Sequence, residues 1–328
     1  MQLSYLAYTW GFMRRSGPGW CLDGPEGARM RSMRPVSEPR RARPHEALFW
    51  RRLAHWGASR GPEWWVRYSP PVFGWAAAAL VPSARRAVIR NLHRIRGPAN
   101  PSRDARDVLA TFSNYASCLA EVLSNDAPSG PRSPETSHRR QHHVHDARAH
   151  GKGIIMVTAH TAGWETVGPV VARNQGLKMM IVMRPEPDER AQTLHDDARK
   201  RAGITIVHAG DDPLASLPLL RHLRTGGVVA LQIDRVAPGL RTREVDLLGE
   251  RTRMPEGPLR LAQVSGAPIL PVFCARIGYR KYVVELYESR LVPRHASEAE
   301  LDEVAQHLAD SLGEFLRSHP TQWFHFGS

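Results

Sequence analysis

The chain reads as an α/β protein with a mainly parallel central sheet flanked by helices, preceded by an N-terminal helical segment. Six short apolar runs, "GIIMVTA", "LKMMIVM", "ITIVHAG", "VVALQI", "PILPVFCA" and "KYVVELYE", follow one another from residue 153 onward. Runs of this length bounded by turn residues predict buried strands. Helix-like patterns lie between most of them, as at residues 190–201 and 214–224. Strand, helix, strand in repetition builds a parallel sheet with both faces covered. The 328 residues, 42% of them apolar, suffice for a large core and exclude disorder throughout.

Taken in order, residues 1–43 are rich in Gly, Pro, Arg and Met and end in "RPVSEPRRARP", which predicts a disordered basic extension. The opening "MQLSYLAYTWGFMRRSGPGW" has neither a basic stretch before its apolar residues nor a small-residue cleavage site, so no secretory signal is expected. Residues 44–125 predict a helical, membrane-interface segment. "HEALFWRRLAHWG" sets Leu48, Phe49, Leu53 and Trp56 against Arg51 and Arg52, an amphipathic pattern, and "SARRAVIRNLHRI" and "DARDVLATFSNYASCLAEVL" predict further helices. Trp50, Trp56, Trp64, Trp65 and Trp75 cluster with arginines. Two readings stand: a surface lying at a membrane interface, or the aromatic core of a helical subdomain. The apolar segment "PVFGWAAAALVP" is too short to span a bilayer. Residues 126–136 form a linker, and residues 137–328 hold the α/β domain.

Lys and Arg number 45 against 32 Asp and Glu, a formal charge of +13. That favours an anionic partner: nucleic acid, a phospholipid surface or an acidic protein. The aromatics do not interleave with Lys and Arg on predicted strands, which argues against nucleic acid. Cys21, Cys118 and Cys274 form no C-x-x-C pair, and a reducing compartment fits them. The stretch "SHRRQHHVHDARAH" offers His138, His142, His143, His145, Asp146 and His150 but lacks H-E-x-x-H; it predicts a solvated helix before the first strand, and no metal site is expected.

Three strand runs end in a charged or titratable residue, His160, Arg184 and Asp234, with Arg276 a weaker fourth. In a parallel sheet the carboxyl ends share one edge, where ligands bind, so these side chains can converge. His160 and Glu165 are five apart, a spacing that turns them away from each other on a continuous helix. They meet only if the backbone bends between strand and helix. Thr161 as a cap and Gly163 supply such a bend, with Glu165 in the first helical turn. The pair then reads as base plus orienter, Glu165 holding the imidazole in one tautomer, or as a structural couple at a strand end. There is no G-x-S-x-G elbow, and Cys274 lies inside an apolar run. The nucleophile then belongs to the substrate, a hydroxyl or amine attacking an acyl donor.

With these residues in view, H-x-x-x-x-E within "TAHTAGWE" resembles the H-x4-D/E block of glycerolipid and lipid A acyltransferases. Further blocks agree in order: "VMRP", "RKRAGITIV", "LRTGGVVALQIDR", "LLGERTRMPEGPLRLAQVSGAPILPVF" and "HPTQWFHF", over residues 44–328. The group most resembled is the bacterial lipid A biosynthesis acyltransferases, the lauroyl and myristoyl transferases, with the phosphatidylinositol mannoside acyltransferases beside them.

The resemblance implies a glycerolipid acyltransferase-like fold. It implies fatty acyl transfer from a thioester, on acyl carrier protein or coenzyme A, to a hydroxyl of a membrane glycolipid such as a lipid A precursor, with no other cofactor and no metal. Lysophospholipid, inositol mannoside or a secondary lipid are the alternative acceptors, and a non-catalytic lipid-binding homologue is the alternative role. It makes His160 the base and Glu165 its partner, and has Arg184 bind anionic groups or steady the oxyanion. Gly163 and Trp164 fall at the substrate site, Asp234 with Gln232 and Arg235 shapes its floor, and Pro255 and Gly257 help build the acyl pocket. The expected location is the cytoplasmic face of the inner membrane, peripheral or shallowly inserted, against anionic lipid.

Overall fold

Strand β2, Ile154–Thr158, is buried along its whole length, as an unbroken apolar run at the centre of a covered sheet must be. The computed structural model describes residues 55–124, 133–165, 167–168, 170, 176–183, 204–208, 216–236 and 239–327. Parallel to β2 on its two sides run β5 (Val228–Gln232) and β8 (Ile269–Gly278). Beyond β5 come β3 (Met179–Met183) and β4 (Ile204–His208), again parallel. On the other side β9 (Lys281–Leu286) turns back antiparallel on β8, and β1 (Glu135–Arg139) closes that edge parallel to β9. The seven-stranded order is β1-β9-β8-β2-β5-β3-β4, a mostly parallel sheet containing all six apolar runs.

Two elements depart from expectation. β1 lies where a linker to residue 136 and then a solvated helix were predicted; the helix begins only at His142 and runs to Ala149. No residue of β1 is apolar, so its edge pairing with β9, not hydrophobic periodicity, makes it a strand. The second is a hairpin of β6 (Thr242–Leu247) and β7 (Glu250–Pro255). Leu248 and Gly249 join its strands with φ of 60° and 83°, as a two-residue hairpin turn requires, but Leu-Gly carries little of the usual Asn-Gly signal.

Alternation along the strands divides the core between the two faces of the sheet. Ile154 and Met156 face one cluster with Val228, Ala230 and Leu270, covered by Tyr115 and Cys118 of the Pro101–Leu123 helix and by Ala147. Ile155 and Val157 face the other, with Leu223, Leu259, Leu301, Ala305 and Leu308 from three helices, Leu217–Arg224, Gly257–Ser265 and Glu298–Ser318. Asn100 caps the Pro101–Leu123 helix by accepting the Arg103 N–H at 2.8 Å, and a Ser297–Glu300 capping box starts the Glu298–Ser318 helix.

Residues 1–43, and residues 45–54 of the predicted amphipathic helix, lie outside the described residues, as does the predicted helix at 190–201. Of the clustered tryptophans that are described, Trp56, Trp64 and Trp75 are at least half exposed, so the aromatic-core reading fails for them. Tyr68, Val72, Phe73 and Leu80 are exposed beside them. No single helix among the described residues is long and apolar enough to cross a membrane; residues 63–80 and the Pro82–Arg96 helix meet at a bend of 100°.

Candidate active site

Strand register explains why residues 74 positions apart meet. β2 and β5 are neighbours with Thr158 opposite Gln232, so the residues two beyond each pair, His160 and Asp234, leave the sheet at one level. The Ile233 N–H donates to the Thr158 carbonyl at 2.9 Å and extends the pairing to the site itself. His160 Nδ1 then lies 2.8 Å from Asp234 Oδ1. The backbone N–H of His160 sits 3.1 Å from each oxygen of the same carboxylate, and the Trp323 indole N–H donates to Oδ2 at 3.0 Å.

The backbone bends twice to make room for this. The Thr161 N–H donates to the Ala159 carbonyl at 2.7 Å, a tight three-residue turn centred on His160. Gly163 supplies the second bend with φ of 79°, and a Cβ there would lie 2.2 Å from Tyr282 Cδ1. A helix starts at Trp164, its first turn closed by the Val167 N–H donating to the Gly163 carbonyl at 2.7 Å, with Glu165 inside that turn. Thr161, expected to cap, instead pairs with Trp323 and accepts the Cys274 N–H at its Oγ1.

Behind the turn runs the C-terminal strip. The Phe324 N–H donates to the His160 carbonyl at 2.8 Å, Arg235 donates to the Phe324 carbonyl, and Asn91 donates to that of His325 at 2.6 Å.

The Asp234 side chain has no solvent exposure. Burial alone would raise its carboxyl, but His160, Arg235 and His325 outweigh that and hold it well below the usual range. Burial and the Arg235 guanidinium push His160 below the ordinary imidazole value, against the opposing pull of Asp234 and Glu165. At neutral pH the pair is therefore a carboxylate beside a neutral imidazole. Facing an ionised acceptor, Nδ1 carries the hydrogen and Nε2 keeps its lone pair for a proton. This is a base-and-orienter arrangement, with no activated serine or cysteine beside it among the described residues. Burial pushes the thiols of Cys118 and Cys274 up to about 12, which leaves them inert.

Residues 35–327 match the model of the bacterial lipid A biosynthesis acyltransferase family. The chain belongs to that family.

Its relatives include a phosphatidylinositol mannoside acyltransferase of Mycobacterium tuberculosis, 26% identical over 313 residues, 90% of this chain and 92% of the relative. A phosphatidylinositol mannoside acyltransferase of Mycolicibacterium smegmatis is 26% identical over 71% of this chain and 75% of its own. A lipid A biosynthesis acyltransferase of Haemophilus influenzae is 24% identical over 55% of this chain and 54% of its own. Among solved structures, the 1-acyl-sn-glycerophosphate acyltransferase PlsC from Thermotoga maritima matches with a TM-score of 0.36 at 12% identity, covering 75% of this chain and 95% of that one. As a member of the family matched over residues 35–327, the protein is an O-acyltransferase.

Within the acyltransferase, Glu165 was expected to hold the imidazole in one tautomer, and the contact at Nδ1 is made by Asp234. Glu165 lies close enough for its charge to raise the proton affinity of His160, and its Oε1 is shielded from solvent. Gly163 and the buried Trp164 stand at the catalytic bend. Gln232 ends β5, and Arg235 braces the C-terminal strip. Arg184 lies outside the described residues, although β3, which it follows, pairs with β5. Pro255 ends β7 and Gly257 starts the next helix; between them the buried Glu256 is ion-paired with Arg243 and Arg260.

Arg276 is not a strand-end cation. It lies inside β8, with its guanidinium 2.8 Å from the buried Glu121. Trp323, Phe324 and Asn91 were missed. The signal for the first two was present in "HPTQWFHF", where aromatic residues follow the last helix.

Proposed function

We propose that the acyltransferase moves a fatty acyl chain from a thioester, on acyl carrier protein or coenzyme A, to a hydroxyl of a membrane glycolipid. The observation that supports this most is the 2.8 Å contact of His160 Nδ1 with the fully buried Asp234 carboxylate, in surroundings that favour a neutral imidazole beside an ionised acid. As the acceptor oxygen bonds to the thioester carbonyl carbon, Nε2 takes the hydroxyl proton, and Asp234 stabilises the imidazolium that forms. Collapse of the tetrahedral adduct breaks the C–S bond, and the imidazolium returns the proton to the departing thiolate. No acyl-enzyme is formed, and no metal or further cofactor enters the step. Arg184, by its place after β3, is the candidate to hold the oxyanion or an anionic headgroup. Pro255 and Gly257 are candidates for the acyl pocket.

For the acceptor, a mannosylated phosphatidylinositol is favoured over a lipid A precursor. The phosphatidylinositol mannoside acyltransferase relative extends over 90% of this chain, against 55% for the lipid A relative. The exposed Trp64, Phe73 and Trp75 fit a peripheral seat on the inner leaflet. Between Glu63 and Asp104 no acidic residue stands, which suits an anionic lipid surface.

The test is mass spectrometry of lipid extracts from a deletion strain complemented with wild type or His160→Ala. Loss of one acylated inositol mannoside in the deletion and in the His160→Ala strain supports the assignment. Loss of an acyl chain from lipid A, or of another acylated species, transfers it to that acceptor. An unchanged lipid profile in the His160→Ala strain removes His160 as the base.

A further inference from the structure

We infer that Trp323 is a positioning residue of the catalytic pair, acting through its indole N–H on Asp234. The inference rests on the function proposed above.

The Asp234 carboxylate has two oxygens and only one productive orientation toward the imidazole. The His160 backbone N–H is 3.1 Å from both oxygens and does not distinguish between them. The Trp323 indole N–H does: it reaches Oδ2 alone, at 3.0 Å, and leaves Oδ1 to His160 Nδ1. The indole is itself held rigidly. Trp323 is 3% exposed, its backbone pairs with Thr161, and its ring lies 5.2 Å from that of His325. The next residue ties the same strip to His160 through the Phe324 N–H, and Arg235 secures the Phe324 carbonyl from the Asp234 side. A tryptophan kept only for packing needs no indole N–H aimed at a buried carboxylate. Trp323 touches Asp234 and not the reacting atoms, so it acts through the orientation of His160.

The test replaces Trp323 with β-(3-benzothienyl)alanine, which keeps the bicyclic shape and removes the N–H, alongside Trp323→Phe. Phe326→Leu, which removes a ring packed on Phe112 and Tyr115 at 5.1 and 5.0 Å, controls for packing loss beside the same strip. Transfer from palmitoyl-coenzyme A and from palmitoyl-acyl carrier protein into vesicles containing phosphatidylinositol mannosides gives kcat and KM. Proton NMR of histidine-labelled protein reports the hydrogen-bonded Nδ1 proton of His160. The expected result for the benzothienyl enzyme is a kcat lower by about 10-fold with KM unchanged. Its Nδ1–H resonance shifts, while its melting temperature falls by no more than that of Phe326→Leu. Phe326→Leu lowers the melting temperature and leaves kcat and that resonance in place. A benzothienyl enzyme with wild-type kcat overturns the inference. With His160→Ala inactive in the same assay, only the role of Trp323 is lost; with His160→Ala fully active, the proposed mechanism falls as well.

Discussion

Asp234 binds His160 twice, accepting the ring Nδ1–H at 2.8 Å and the backbone N–H of the same residue at 3.1 Å. One carboxylate therefore sets both the tautomer of the imidazole and the fold of the turn that carries it. Asp234→Asn separates these roles: the amide oxygen can still accept the backbone N–H, but an NH2 turned toward Nδ1 favours the opposite tautomer. We expect kcat/KM for acyl transfer to fall by roughly 10²- to 10⁴-fold with the folded structure retained, as kinetics and circular dichroism together would show.

The acid limb of activity follows from the same electrostatics. Burial and Arg235 lower the proton affinity of His160, so the imidazole stays neutral below the ordinary imidazole pKa of about 6.5. Activity should fall only as pH drops below that value and His160 becomes protonated. In Asp234→Asn the opposing negative charge is gone and the limb moves lower still. A pH profile of kcat/KM with its midpoint above the ordinary histidine value would contradict this assignment.

Gly163 is required for two reasons, its φ of 79° and the Tyr282 ring 2.2 Å from where a Cβ would stand. Gly163→Ala carries a left-handed backbone cost of about 1–2 kcal/mol and forces the catalytic turn off the ring. The expected outcome is a lower melting temperature together with a loss of transfer activity larger than the stability change accounts for.

How much of this was legible in the sequence depended on the kind of signal. All six apolar runs became strands, the central β2 because burial on two faces demands a continuous apolar stretch, and the convergence of His160 with Asp234 followed from parallel strand ends. The identity of the orienter did not follow. Motif spacing paired His160 with Glu165, whereas the Nδ1 contact depends on Thr158 lying opposite Gln232, a register that no local pattern encodes. β1 was hidden for a related reason: its residues are polar and partly exposed, and only the edge of β9 makes them a strand. Arg276 was misplaced because the polar end of β8 looks like a strand end, when its charge is absorbed by Glu121 from a helix more than 150 residues earlier in the chain.

That carboxylate gives a prediction on stability. Glu121, fully buried, accepts from Arg276 at 2.8 Å and from the Tyr282 hydroxyl at 2.5 Å. Tyr282→Phe removes one donor and leaves the ring under Gly163. Urea unfolding should show a loss of about 1–3 kcal/mol, with kcat changed far less than in Asp234→Asn.

The proposed membrane seat is separable from the chemistry. Trp64→Ser, Phe73→Ser and Trp75→Ser together remove exposed aromatic surface. Sedimentation with anionic phospholipid vesicles should show weakened binding, while hydrolysis of a short, water-soluble acyl thioester continues at the wild-type rate. Binding that persists unchanged in the triple variant would place the membrane contact elsewhere.

The most direct measurement is single-turnover transfer of a labelled acyl group from coenzyme A and acyl carrier protein thioesters into inositol mannoside vesicles, comparing wild type with His160→Ala. The account predicts rapid labelling of the glycolipid by the wild-type enzyme and a rate lower by about 10²- to 10⁴-fold in the variant, with no labelled protein intermediate in either. A His160→Ala enzyme that labels the lipid at the wild-type rate, or a wild-type enzyme that accumulates covalent acyl-protein, would contradict it.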